Sequence, residues 1–435
     1  MTPRPVACPP PRPIAPVLPI AAVLLAGGLL GTSVTGCADY PFGEPRLEPT
    51  RTDALDRPPV LSPPPCQVGP PPAAFVGRDG PMLVLEGRRF RAVGANLYYL
   101  QQLFTYGNAQ FVGQALAALD RVVCAGLPVV RAWGFNESKD SSTIHPKPTE
   151  YNERGLRGLD RLVAEAKSRG LRVILAMANN HAAFGGLPVY ARWAGKEPDD
   201  FFGDPQMMGY WKDYVSTIAN RVNTYTGIAY KDEPALLAIE LGNEFRCRAC
   251  RGTTRLIDAI SEMATFAQAT FPNHLIADGG EGFDDTPSLY PGLSNPYVVR
   301  GDEGASFSKL VSVEGLDMLS YHLYPDGYRL DAGREVNIWI DSHELLARMA
   351  GKVAYLGEFG YKHPIEMRDE KLAPIFNAWL SQLFDRRDGH MGLLWQWAAA
   401  ERQAATDDGY TVVFEQHPLA SAVLSWWAGT VAGLL

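Results

Sequence analysis

Two glutamates, Glu244 and Glu358, are the residues of this sequence best suited to do chemistry, because each follows a short apolar run. A pair of carboxylates can divide the work of a displacement reaction. One attacks as the nucleophile, while the other gives up a proton and later takes one back. The two groups must then differ in protonation, so one needs cationic or hydrogen-bond-donating neighbours and the other a less polar site.

Further polar and aromatic side chains follow other apolar runs of the same kind, namely Asn96, Arg131, Trp133, Asn179, Asn180, His181, Asn243, His322, Tyr324 and Trp395. Arg131 and Tyr324 are suited to keep one glutamate ionised. Trp395 can stack on a sugar ring, and Asn243 can bind the sugar's 2-hydroxyl group. Two carboxylates about 5–5.5 Å apart with such neighbours are the requirement of a retaining glycosidase. That chemistry runs on carboxylates alone, so we expect no cofactor and no metal.

Each of these residues also has a purely structural interpretation. Glu244 and Glu358 could be surface carboxylates, and Arg131 could belong to a structural ion pair. His322 could be a core histidine with its hydrogen bonds satisfied, and His181 could cap a loop. The joint placement of so many polar residues after apolar runs favours the functional interpretation.

The elements that position these residues are eight apolar, β-rich runs, at 90–96, 128–133, 172–179, 235–242, 274–278, 317–322, 353–357 and 391–396. Helical patterns lie between them, at 112–125, 152–169, 205–226, 254–269, 334–349 and 368–384. This alternation predicts parallel βαβ units and an α/β fold, a (β/α)₈ TIM barrel with its chemistry where strands end. A doubly wound open sheet is the alternative, but no glycine-rich phosphate turn follows the first run. A short hairpin, 82–86 into 89–93 around Gly87, is expected at the barrel floor.

Composition and charge exclude some classes of protein. The chain has 435 residues, a formal net charge of −8 and 46% hydrophobic residues, which excludes wholesale disorder. It carries no basic tract of the kind that binds phosphate backbones, so no nucleic-acid partner is expected. A monomer is expected.

The N-terminal part indicates export. Residues 1–36 have the pattern of a signal peptide, and Val34-Thr35-Gly36-Cys37 resembles the lipidation motif of bacterial lipoproteins, with an ordinary signal peptide or an uncleaved anchor as alternatives. Residues 37–74 contain eleven prolines and predict an extended, disordered linker before a catalytic domain at 75–435. We therefore expect a membrane-anchored lipoprotein, in the periplasm or at the cell surface, or a secreted protein. The membrane contact would be the lipid anchor only.

Disulfides are permitted in such a compartment. Past Cys37 the cysteines are Cys66, Cys124, Cys247 and Cys250, an even number that leaves three possible pairings. The last two form a CxxC without partners for a zinc site, so a local disulfide between them is expected.

The residues also carry a specific resemblance, in order along residues 75–430. The segments are Val129-Val-Arg-Ala-Trp133, Asn179-Asn180 with Phe184-Gly-Gly, Glu240-Leu-Gly-Asn-Glu244, His322-Leu-Tyr-Pro-Asp326, Gly357-Glu-Phe-Gly360 and Leu394-Trp-Gln396. They resemble clan A glycoside hydrolases of family 5, and most of all the endo-β-1,4-mannanases. The resemblance implies a retaining enzyme acting on mannan, glucomannan or galactomannan.

That resemblance also implies roles for individual residues. Glu244 is implied as the acid/base and Glu358 as the nucleophile. The implied shell of the cleaved sugar is Arg131, Asn243, His322, Tyr324 and Trp395, and we add Trp133 as a binding residue. The sequence departs from the family's pattern at two places. Phe245 replaces the proline that usually follows the acid/base glutamate, and His181-Ala182 replaces the usual Trp-Asp. A related β-glycanase and a non-catalytic glycan-binding protein on the same fold are the alternatives.

Overall fold

The computed structural model describes Cys66 and residues 69–364, 368–387, 389–399 and 407–433. The predicted signal peptide 1–36, Cys37 and most of the predicted linker 37–74 lie outside the described residues. They therefore stay predictions. None of the helices in the described ranges has both the length and the apolar character needed to cross a membrane.

Eight parallel strands close into a barrel, which confirms the predicted fold. They are β4 (Ala92–Asn96), β5 (Val129–Trp133), β6 (Arg172–Ala176), β7 (Leu236–Glu240), β8 (Leu275–Ala277), β9 (Met318–Leu323), β10 (Val353–Phe359) and β11 (Met391–Leu394). Neighbours along the chain pair with each other, and β11 pairs with β4 to close the ring. Every residue of these strands is buried, because helices cover the outside and side chains fill the inside.

A small antiparallel sheet precedes the barrel and consists of β1 (Gly77–Asp79), β2 (Met82–Leu85) and β3 (Arg88–Arg89). The predicted hairpin around Gly87 is therefore present, but it ends at Arg89, because the following residues enter the first barrel strand. Leu83 and Phe90 pack in one cluster with inward-facing barrel residues such as Met318. Arg78 bonds Asp317, just before β9, with its Nε 2.8 Å from Oδ1, so the small sheet covers the barrel floor.

Helices surround the barrel and carry most of the connections. They are α1 (Leu100–Tyr106), α2 (Ala109–Cys124), α3 (Glu153–Ser168), α4 (Leu187–Ala194), α5 (Pro205–Asn220), α6 (Arg255–Thr270), α7 (Phe307–Leu310), α8 (Pro325–Tyr328), α9 (Arg334–Met349), α10 (Arg368–Ser381) and α11 (Pro418–Gly433). Side chains of Asn108, Asn152 and Asp204 cap the first turns of α2, α3 and α5 by accepting backbone N–H bonds.

Some element boundaries differ from the predictions. Helix α5 ends at Asn220, six residues before the predicted end, because Asn223 turns the chain by accepting bonds from Tyr225 N and Thr226 N. Five helices were not predicted, namely α1, α4, α7, α8 and α11. The remaining short elements are two paired strands, β12 (Trp397–Ala398) and β13 (Val412–Val413), and single turns of 3₁₀ or π helix at Pro198–Phe202, Tyr230–Asp232, Arg248–Cys250, Pro287–Leu289, Pro296–Val299 and Gln382–Arg386.

Two disulfides join the cysteines of the described part of the chain. Cys247 pairs with Cys250, which confirms the predicted local bridge. Cys66 pairs with Cys124 at the end of α2 and so ties the predicted linker to the barrel. Ala74, the last residue of that linker, also accepts a hydrogen bond from Arg172, with Nη1 2.9 Å from its carbonyl oxygen.

Candidate active site

Glu244 and Glu358 meet at the end of the barrel where the strands finish. Glu244 lies four residues beyond β7, and Glu358 lies within β10, one residue before its end. Both side chains are buried, each with 1% of its surface exposed. One carboxylate oxygen of Glu244, one carboxylate oxygen of Glu358 and a ring nitrogen of His322 all lie within 4.8 Å of one another. This separation is close to the spacing of about 5–5.5 Å that double displacement needs.

The backbone holds Glu244 in an unusual conformation. Its φ is 56°, in the left-handed region that non-glycine residues rarely adopt. Its N–H donates to Gly279 O at 2.9 Å, and the preceding Asn243 donates to Ala178 O at 2.8 Å. The loop after β7 is thus fixed to the loops on either side, and the turn at Glu244 is part of how its side chain reaches the barrel axis.

Arg131, on β5, lies at the centre of the site with none of its side chain exposed. Its Nε donates to both oxygens of Glu240 at 2.8 and 2.9 Å, and its Nη1 donates to Glu358 at 2.7 Å. The remaining donors reach Asn96 at 3.0 Å and Asn243 at 2.8 Å. Burial alone would lower the pKa of Arg131, but the charges of Glu240 and Glu358 raise it, so the guanidinium stays charged.

Glu358 accepts hydrogen bonds from two strong donors. Arg131 Nη1 contacts one oxygen, and the hydroxyl of Tyr324 donates to the other. His322 Nδ1 lies 3.5 Å from the same oxygen as Tyr324. Burial raises the pKa of Glu358 to about 7, with the charge of Glu244 adding to this and with His322 and Arg131 opposing it.

Glu244 has two imidazole neighbours. Its Oε1 lies 2.8 Å from His322 Nδ1, and its Oε2 lies 2.9 Å from His181 Nε2. An ionised carboxylate only accepts hydrogen bonds, so both ring nitrogens donate when Glu244 is charged. Burial would raise the pKa of Glu244, but the hydrogen bonds from His181 and His322 hold it well below its usual range.

An aromatic wall lies beside the carboxylates. Trp395 stacks on Tyr98, with ring centroids 5.2 Å apart and planes 11° from parallel, and its Nε1 donates to Asp408 at 2.8 Å. Trp133 packs against Tyr98 and Phe184 and lies 6.3 Å from Trp395. Both tryptophans are buried, with 4% of their surface exposed.

The structure brings the predicted residues into one connected group, which does not by itself test their roles. Arg131, Asn243, His322 and Tyr324 each bond a glutamate or a neighbour of one, whereas Trp133 and Trp395 belong to the aromatic wall. Sequence reasoning missed the part played by Tyr98, Glu240 and Asp408, and it named His181 without its bond to Glu244. Glu240 did carry a signal, since a charged residue at the end of a fully apolar run needs a buried partner.

Glu244, His322 and Glu358 are the side chains of the described residues close enough together to hold a metal ion. Glu244 already bonds His322, and the Arg131 guanidinium bonds Glu358 directly. A divalent cation would have to replace these bonds beside a fixed positive charge, which is unfavourable. The donor set therefore fits proton-transfer chemistry better than metal binding, and the expectation of no metal stays a prediction.

A parallel eight-stranded barrel with two buried glutamates facing each other where the strands end is an arrangement of glycoside hydrolases. A family model described as GH family 5 beta-mannosidase-like matches residues 73–291. The chain belongs to this family. The resemblance drawn from the sequence segments is thereby confirmed.

Curated relatives and solved structures agree with this family. The chain is 34% identical over 367 residues to mannan endo-1,4-beta-mannosidase 8 of Oryza sativa subsp. japonica, covering 80% of this chain and 97% of that one. Its fold is similar to that of the endo-1,4-β-D-mannanase of Thermotoga petrophila RKU-1, with a TM-score of 0.70, 30% identity and coverage of 78% and 99%. The endo-1,4-beta-mannanase of Rhizomucor miehei gives a TM-score of 0.72, 26% identity and coverage of 83% and 100%.

Proposed function

We propose that the protein is a retaining endo-β-1,4-mannanase. The observation that carries this proposal is the pair of buried, opposed glutamates, in a chain that covers 97% of the length of a mannan endo-1,4-beta-mannosidase. The substrate would be a β-1,4-linked mannan, glucomannan or galactomannan. Trp395 would lie against the sugar at the cleavage point, and Trp133 and Tyr98 would support it.

The proposed reaction has two displacements. Glu358 attacks the anomeric carbon, the bond from that carbon to the glycosidic oxygen breaks, and Glu244 gives its proton to this oxygen. Water then attacks the same carbon, Glu244 takes a proton from the water, and the bond to Glu358 breaks. Arg131 and Tyr324 support this assignment, because they can stabilise Glu358 as an anion before attack and as the leaving group afterwards.

In the free site, burial raises the pKa of Glu358, and hydrogen bonds from two histidines lower the pKa of Glu244. Attack needs a proton on Glu244 and an ionised Glu358, so the substrate must favour that state. In the complex, the glycosidic oxygen accepts a hydrogen bond from protonated Glu244. In the transition state, the positive charge that develops at the anomeric carbon stabilises ionised Glu358.

The test of this function is release of reducing ends by the purified full chain. We expect cleavage of glucomannan and galactomannan, with an early fall in viscosity because internal bonds are cut, and no cleavage of carboxymethyl cellulose. Glu358→Gln serves as the blank. Cleavage of cellulose instead would assign the site to another β-glycan, and binding without cleavage of any polymer would favour a glycan-binding protein.

Glu244→Ala tests the acid/base role. We expect aryl mannosides with good leaving groups to lose much less activity than the polysaccharide does, because a good leaving group departs without protonation. Added azide should restore turnover, since it can attack the glycosyl–Glu358 intermediate without a general base. An equal loss on good and poor leaving groups would contradict the acid role.

We further propose that the enzyme is exported and attached to a membrane through a lipid on Cys37. The support is the sequence of residues 1–37 and the proline-rich stretch that follows it.

A further inference from the structure

His181 differs from the other charged and titratable residues around the two glutamates in being partly exposed. Its side chain has 24% of its surface accessible, against 1% or less for the side chains of Arg131, His322, Glu244 and Glu358. Its Nε2 nevertheless lies 2.9 Å from Glu244 Oε2. His181 is therefore in contact with both the buried carboxylate and the solvent.

The loop after β6 fixes this contact from the backbone. Asn179 forms a parallel bridge with Asn243, the residue before Glu244, and Asn180 N donates to Asn243 O at 3.0 Å. Asn179 Oδ1 then accepts the His181 backbone N–H at 3.2 Å and the Asn243 side-chain amide at 3.1 Å. The loop that carries His181 and the loop that carries Glu244 are thus joined just before each functional side chain.

We infer that His181 is a positioning residue that sets the acid strength of Glu244. This inference rests on the proposed function. A ring nitrogen that donates to Oε2 stabilises the carboxylate form of Glu244 and holds that oxygen in place. Glu244 then gives up its proton more readily to a leaving oxygen, and it loses the proton to solvent at a lower pH. The alkaline limit of activity would therefore depend on residue 181.

Other groups also act on Glu244, and they must be separated from His181. His322 on β9 bonds Oε1, and Glu358 on β10 lies across the cleft. Arg246, two residues further along the same loop, and Glu281, after β8, bond each other and interact electrostatically with Glu244. All four are buried, so replacing His181 changes one contact of Glu244 at the solvent side and leaves these four in place.

The experiment compares His181→Phe, which cannot donate, with His181→Gln, whose amide nitrogen can. His363→Gln is the matched control, a partly exposed histidine in the loop after β10 whose ring contacts Tyr361. We expect the alkaline limb of kcat/KM on mannan to move up by as much as about one pH unit in His181→Phe, because loss of the donor raises the pKa of the acid and the limb reports Glu244 and Glu358 together. In His181→Gln the alkaline limb should lie close to its wild-type position, and in His363→Gln its position should not change.

A direct titration keeps this inference separate from the proposed function. Carbon-13 NMR of glutamate side-chain carboxyls, with Glu244 assigned by its loss in Glu244→Gln, reports the titration midpoint without turnover. We expect this midpoint to be higher in His181→Phe than in wild type. An unchanged midpoint would overturn the inference even if the protein cleaves mannan. A changed midpoint in a protein that cleaves no mannan would contradict the proposed function alone.

Discussion

Glu358→Gln is expected to reduce mannan hydrolysis by about 10⁴-fold or more, the scale of loss when a covalent nucleophile is removed. The amide keeps the shape of the side chain and an oxygen that can accept from Arg131 or Tyr324. It cannot form the glycosyl ester that the second step hydrolyses. We therefore expect retained binding of mannan with turnover lost, measured by affinity electrophoresis beside reducing-end release.

Glu262→Gln on α6 is the matched control, because this glutamate is half exposed and pairs only at the surface with Lys212. It should keep full activity. A second measurement identifies the attacking atom, since an activated 2-deoxy-2-fluoromannoside should leave a covalent sugar on residue 358, detectable by mass spectrometry of peptides. A label on another residue, or substantial turnover by Glu358→Gln, would show that the nucleophile lies elsewhere.

Arg131→Met is expected to lower the free energy of unfolding by about 3–5 kcal/mol, the usual result of removing one partner from a buried ion pair. Glu240 and Glu358, with 0% and 1% of their surfaces exposed, would be left without their cation. Loss of the Arg131 charge would raise the pKa of Glu358 in the folded protein further above its unfolded value. The folded state would bind more protons, so the loss should be smaller near pH 5 and grow as pH rises toward 8.

Chemical denaturation at these two pH values measures this effect. Arg251→Met is the control, because Arg251 pairs with Asp302 while more than half of its side chain is exposed, and the loss should be far smaller. Arg131→Met combined with Glu240→Gln should recover part of the loss by removing one buried charge. A pH-independent loss, or no recovery in the double variant, would mean that packing and not charge explains the effect of Arg131→Met.

The barrel could be predicted from the sequence because every barrel strand is mostly apolar. The predicted run 235–242 contains β7, and the run 172–179 contains β6. Burial on both faces makes such runs unambiguous when helices separate them. Glu358 was expected just after its strand and lies within it, because β10 continues to pair with β9 through Phe359.

Contacts between distant loops were less predictable. His322 and Glu244 are 78 residues apart, and their hydrogen bond exists only because the barrel brings β7 and β9 to one end. The short helices α1 and α4 lie in strand–helix connections, where no run of periodic residues is long enough to indicate them. The partners of His181 and Asp408 depend on loop backbone geometry, which spacing alone does not specify.

The Cys66–Cys124 disulfide would determine where tension from the proposed lipid anchor on Cys37 enters the barrel. Helix α2 ends at Cys124, next to the start of β5, so the bridge lies toward the floor and away from Glu244 and Glu358. Tension carried by the residues before Cys66 would pass through this covalent bond into the floor. The loops that align the two glutamates would remain unloaded, and the open end of the barrel would stay free to accept a polymer much longer than the enzyme itself.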